Sequence, residues 1–228
     1  MDGSEPKSTF AESACGMDNP VIIFGANYLG RAVKDIFEAN GNVVYGFLDD
    51  DKKLHQTEID NVMVTGSTDD DGFLKLIGKK CEAFVAIDEV KVRKSLVKML
   101  HEVRKVQPVN AIHRTSIMAA SSSLGHGNLI DQGAKVGAGA EIGSHNLLHA
   151  GTILGAEVKV GSFVHIGAGS IINAGAVVED DVFIGSGVTV ISGITIAQGA
   201  RVGAGSVVIA PVKAGETVFG NPAQRVKS

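Results

Sequence analysis

A chain of 228 residues, 44% of them hydrophobic, has room for one or two domains whose cores need no covalent staples. Its two cysteines, Cys15 and Cys81, make no disulfide framework, so a reducing, cytoplasmic setting is expected. A net charge of −4, 5% aromatics and no Trp argue against a nucleic-acid partner, and no run reads as a signal core or a membrane span.

Residues 1–19 are polar and are expected to form a disordered tail. Residues 20–109 then alternate between strand and helix patterns. Residues 21–24 form a short apolar strand, followed by the loop Gly25-Ala-Asn-Tyr-Leu-Gly30 and a helix over 31–39 with Ala32, Val33 and Ile36 facing inward. Strands are predicted at 43–48, 61–65 and 83–87, the first of them closed by Asp49-Asp50-Asp51. Helices are predicted at 71–78 and 90–103, the latter with Val92, Leu96 and Leu100 on one side. Such alternation implies a parallel sheet, hence a small Rossmann-like α/β domain.

From Ile112 to Val208 the pattern changes, and every sixth residue is aliphatic, seventeen in register without a slip. At a 44% apolar frequency the chance of that run is on the order of one in a million. A period of six keeps all these side chains on one side of an extended chain, whereas on a helix they would fall about 240° apart. Three hexapeptides per coil give eighteen residues, so residues eighteen apart should stack at about the 4.8 Å strand spacing. The position two before each aliphatic is often small (Ala134, Ala140, Thr152, Ser170, Ala176), which lets a narrow interior close. The position just after it favours glycine. The β-helix is expected over 110–213, with 214–228 leaving the repeat as a C-terminal tail.

The repeat, the preceding α/β unit and the ending Gly220-Asn-Pro-Ala-Gln-Arg-Val226 together resemble one family. It is the bacterial hexapeptide-repeat sugar acetyltransferases, which modify sialic acids at oxygen or UDP-4-amino-sugars at nitrogen. Phe47-Leu-Asp-Asp50 and Ala111-Ile-His-Arg-Thr-Ser116 fall where that family has them. The resemblance implies that the β-helix is left-handed, against the usual crossover hand. It also implies a homotrimer, acetyl-CoA as acyl donor, and a nucleotide-linked or acidic sugar as acceptor.

At the nucleotide-sugar end, a strand, a glycine turn and a helix can present backbone N–H groups to phosphate, although a GxxxxG spacing would equally serve close helix packing. An acid ending the second strand can bind a sugar hydroxyl or simply sit in a solvated turn. The resemblance places acceptor contacts at Asn27, Tyr28, Leu29, Asp49, Asp50 and Asp88. Two departures stand out. Tyr28 is bulky where the family is small, and Asp88-Glu89-Val90 replaces a Gly-Asn-Asn, putting two carboxylates where a diphosphate would be repelled.

At the acyl-transfer end, attack on a thioester needs a base for the acceptor's proton, and imidazole suits neutral pH. The family's base position is Ala156 here, its acid matches Glu157, and its second His matches His165. Three readings follow. In the first, another imidazole substitutes: His149, with Asp131 one coil before it and His165 nearby, is the candidate, against a plain solvated histidine. In the second, binding alone suffices for an amine nucleophile. In the third, the chain is a catalytically silent nucleotide-sugar or CoA-binding module. Coenzyme contacts carried over from the family fall at His165, Ser186 and Ala204. His126 and His145 lie on adjacent coils, but no Cys or carboxylate completes a ligand set, so no metal is expected.

Overall fold

The computed structural model describes residues 19–226, so the tail expected over residues 1–19 lies, but for Asn19, outside the described residues. The chain divides into two compact units whose boundary falls between Arg114 and Thr115.

The first unit is a sheet flanked by helices. In chain order it runs β1 (Val21–Phe24), α1 (Tyr28–Ala39), β2 (Val44–Leu48), β3 (Glu58–Ile59), β4 (Val62–Gly66), α2 (Asp71–Leu74), β5 (Glu82–Val85) and α3 (Val90–Met99), which passes into a π-helical turn at Leu100–Arg104. The sheet order is β3-β4-β2-β1-β5. Every pairing is parallel except β3 with β4, an antiparallel edge that the sequence pattern did not suggest. The interior strand β1 is buried at all four residues, as expected where both faces are covered. Phe37 of α1 meets Phe84 of β5 edge to face at 6.0 Å, closing one side of this core.

The helices differ from expectation at their ends, for local reasons. α1 starts three residues early because Asn27 caps it, its Oδ1 accepting the N–H groups of Leu29 and Gly30 at 2.9 and 3.1 Å. Its buried face is Leu29, Val33, Ile36 and Phe37. The helix over 71–78 shrinks to a single α-turn, capped by Asp70. In α3 the buried face is rotated: Val92 is exposed, whereas Arg93 is buried and its Nη1 donates to the carbonyls of Ile87 and Asp88 at 2.6 and 3.2 Å. Arginine takes the place of an aliphatic because it satisfies carbonyls at the end of β5 that would otherwise be stranded.

The second unit is a parallel β-helix of two-residue strands forming three flat sheets. The predicted columns match residue for residue: Leu148, Ile166, Ile184 and Val202 stack on one face. Leu154, Ile172, Val190 and Val208 stack on the second, and Val160, Val178 and Ile196 on the third. All the repeat aliphatics from Leu124 to Val208 are buried. The small residues two positions earlier (Ala134, Ala140, Thr152, Ser170, Ala176, Ala200, Ser206) are fully buried too.

The glycines after the aliphatics are there for closeness. A Cβ on Gly167 would lie 2.4 Å from Ser186 N, and one on Gly185 would lie 2.6 Å from Ala204 N, so the next coil passes where a side chain would stand. One corner carries a buried asparagine ladder. Asn128 Oδ1 accepts Asn146 N at 2.9 Å, and Asn146 Oδ1 accepts Val164 N at 2.7 Å, while Asn146 Nδ2 donates to Gly161 O at 2.9 Å. The segment after the repeat stays paired. Thr217–Phe219 adds in parallel to Arg201–Val202 and turns back to pair with Gln224–Arg225.

Candidate active site

Parallel pairing puts the carboxyl ends of β1, β2 and β5 on one edge of the first sheet, and with them the loops at 25–27, 49–51 and 86–88. These loops are stitched together. Asp49 Oδ2 accepts Ala26 N at 2.7 Å, its Oδ1 accepts Asp51 N at 2.9 Å, and Ala86 N donates to Phe24 O at 2.8 Å. Gly25 has φ +102°, and a Cβ there would lie 2.5 Å from Ala86 O, so glycine is what lets the first and third loops touch.

Of the residues assigned to acceptor contact, several have local partners. Asn27 caps α1, and Leu29 is buried beneath it. Asp50 Oδ1 accepts both the backbone N–H and the hydroxyl of Thr68 at 2.9 and 2.8 Å. Asp49 braces the first loop through Ala26 N. Tyr28 is 68% exposed at the start of α1, and Asp88 is half-buried at the end of β5. The second carboxylate of the departure, Glu89, turns to its own helix: its Oε1 accepts Lys91 N at 3.3 Å, so its charge caps α3.

On the β-helix, His149 follows the inward Leu148 and its N–H donates to Ile166 O at 3.0 Å, while Thr152 N and Oγ1 both donate to its carbonyl. His165 opens the strand His165–Ile166 one coil on, in register with Leu147. The two imidazoles meet at 4.6 Å between centroids, inclined by 48°. Asp131 lies one coil before His149, since Leu147 and Leu148 pair with Leu129 and Ile130. Its Oδ1 accepts Gln132 N at 2.7 Å, a contact within its own turn. Ser186 and Ala204 are exposed on the corner that follows the same face, one coil apart.

Glu157 belongs elsewhere within the chain. With Ala156 it forms the exposed corner between Ile153–Leu154 and Lys159–Val160, with φ 57° and its N–H donating to Ala138 O at 2.8 Å. The structure thus brings His149 to His165, keeps Asp131 in their neighbourhood, and puts Glu157 on another corner of the same chain.

Two residues escaped the sequence reading. The His165 ring stacks on Phe183 at 4.6 Å and 21°, and Arg201 Cζ lies 4.5 Å from the centroid of the same phenyl ring. The signal was available, because 165, 183 and 201 share one eighteen-residue column. His126 and His145 meet through backbone, His145 N donating to His126 O at 2.7 Å, and the buried His145 ring packs on Phe163 at 4.9 Å.

Residues 20–100 match the family described as PglD N-terminal domain, and residues 175–210 match the bacterial transferase hexapeptide (six repeats). A search of curated proteins found no match. Among solved structures, perosamine N-acetyltransferase from Caulobacter crescentus, in complex with CoA and GDP-perosamine, is 27% identical with a TM-score of 0.84, over 92% of this chain and 99% of that one. A histidine-to-asparagine variant of that enzyme, with the same two ligands, is 26% identical over 93% of this chain and 99% of its own, with the same TM-score. The acetyltransferase domain of PglB from Neisseria gonorrhoeae shares the fold at 23% identity and a TM-score of 0.85, over 92% and 100%. With these likenesses the β-helix is of the left-handed kind.

Proposed function

Because the chain belongs to the hexapeptide-repeat sugar acetyltransferases, we propose that it transfers an acetyl group from acetyl-CoA to the amine of a nucleotide-linked sugar. The observation that carries this is the likeness, through both units, to an N-acetyltransferase whose structure holds CoA and GDP-perosamine. The carboxyl edge of the first sheet receives the acceptor, with Tyr28, Asp49 and Asp88 at its loops. The corner bearing Ser186 and Ala204 receives the pantetheine arm of acetyl-CoA. The chain works as a homotrimer, since flat β-helix faces bury well around a threefold axis. A CoA donor and a free, buried Cys81 fit a reducing cytoplasmic setting.

The acceptor nitrogen attacks the thioester carbonyl, a tetrahedral oxyanion forms, and the C–S bond breaks to release the CoA thiolate. The proton lost by nitrogen goes to a base and ends on the thiol. Ala156 cannot take it, so His149 does, with His165 packed against it and Asp131 one coil away supplying negative charge for the imidazolium. Backbone N–H groups stabilise the oxyanion.

The test is thiol release from acetyl-CoA with a panel of nucleotide-linked amino sugars. His149→Ala is expected to lower kcat by about 100-fold or more. Unchanged turnover would remove His149 from the mechanism. Ala156→His, which rebuilds the family's His beside Glu157, is expected to rescue the His149→Ala variant at least in part. Ala156 also favours a second reading, a silent binding module. That reading requires acetyl-CoA to raise the melting temperature while no acceptor in the panel releases thiol.

A further inference from the structure

Four outward side chains form one continuous column on the β-helix: His149, His165, Phe183 and Arg201. Each of the last three sits on the same rung position of successive coils, so their separations are set by strand pairing. The χ2 torsion of a histidine is broad and roughly two-fold, so the contacts around the ring decide its plane. Here the His165 ring lies nearly parallel to the Phe183 ring, at 21° and 4.6 Å. Arg201 holds the phenyl in turn, its guanidinium 4.5 Å from the centroid, an arrangement favoured by the negative ring face. Phe183 is therefore held between an imidazole and a guanidinium. The other neighbour of His165 along the column is the His149 ring.

We infer that Phe183, steadied by Arg201, is a positioning residue that fixes the ring plane of His165 and so the contact of His165 with His149. This rests on the assignment of the two histidines to acyl transfer. Phe183 touches the reaction only through His165. Its aromatic face is the active feature; its bulk alone is not sufficient, since a leucine of similar reach offers no plane to stack on.

The test compares Phe183→Leu, Phe183→Tyr and Arg201→Met with the wild-type chain, each checked for a cooperative thermal transition. Two readouts are used: steady-state kinetics with acetyl-CoA and nucleotide-linked amino sugars, and the ring-proton resonances of His165 in 13C-histidine-labelled protein. Phe183→Leu is expected to lower kcat by about tenfold with the KM for acetyl-CoA changed by no more than about twofold, and to abolish the upfield ring-current displacement of His165. Phe183→Tyr keeps the aromatic face and is expected to restore both. Arg201→Met is expected to broaden the His165 resonance while leaving the fold intact. Wild-type kcat in Phe183→Leu, or a displacement of His165 that survives in that variant, overturns the inference. If the wild-type chain acetylates no acceptor, the proposed function fails on its own, while the resonances still decide whether Phe183 fixes the ring.

Discussion

At the scale of single residues, buried polar side chains of the β-helix bond to backbone, and Asn146 shows how far one side chain can replace a missing backbone partner. Asn146 makes three contacts at one corner: its Nδ2 donates to Gly161 O, its Oδ1 accepts Val164 N–H, and its own backbone N–H donates to Asn128 Oδ1. Asn146→Ala would leave Val164 N and Gly161 O without that partner in a buried corner. The expected loss is about 2–4 kcal/mol, read from the denaturant midpoint at unchanged slope. Cys81 illustrates the opposite economy. Burial first, and the charge of Glu82 second, push its thiol above its usual value. In a Cys15→Ser variant, where Cys81 is the one thiol left, reaction with a thiol reagent at neutral pH is expected to wait for unfolding, so a burst of labelling in the native protein would contradict this placement. The geometry of the candidate site was legible only in part at this scale. His149 and His165 could be named, because columns eighteen apart are countable. Asn27, Asp49 and Asp50 were read as ligand contacts; that their side chains also accept backbone N–H groups of their own unit was not legible. A sequence displays a carboxylate but not which amide lies within 2.7 Å of it.

At the scale of elements, legibility followed the strength of the repeating signal. The β-helix was readable rung by rung, because a six-residue period repeated seventeen times leaves one register that buries the apolar set. The α/β unit was readable in its order of elements and less so at their ends, where single capping residues decide. Asn27 extended α1, Asp70 began a helix only one α-turn long, and the two-residue edge strand β3 carries too few residues to show a period. The glycines make the element-level rule testable. Gly167→Ala pushes a Cβ to 2.4 Å from the backbone of the next coil, whereas Gly169→Ala meets nothing within 4 Å and bears only the cost of φ +69°. The first is expected to cost upwards of about 3 kcal/mol and the second about 1–2 kcal/mol, measured by thermal denaturation. Equal costs would mean that stacking distance does not govern these corners.

At the scale of the whole molecule, two solution measurements bear on the proposed function. Sedimentation is expected to give three times the 23.6 kDa of one chain. A monomer at micromolar concentration would remove the trimer, and with it any site built from more than one copy. Acetyl-CoA at 100 times its Kd is expected to stabilise the folded state by about 2.7 kcal/mol, seen as a raised Tm that saturates with ligand. No helix among the described residues is long and apolar enough to cross a membrane.

The rung spacing has a consequence for length. Because each coil advances the edge by one strand separation, about 4.8 Å, the distance from the paired imidazoles to any later corner is quantised. Removing residues 167–184 would delete one whole coil, keep every remaining aliphatic in phase, and bring the Ser186 and Ala204 corners one step nearer His149. Such a shortened protein is expected to keep the same cross-section and, with the pantetheine arm placed as proposed at Ser186 and Ala204, to offer that arm a track one step too short. On that proposal the β-helix acts as a gauge: it measures the flexible carrier that delivers the acyl group, and it can be recalibrated only in whole steps.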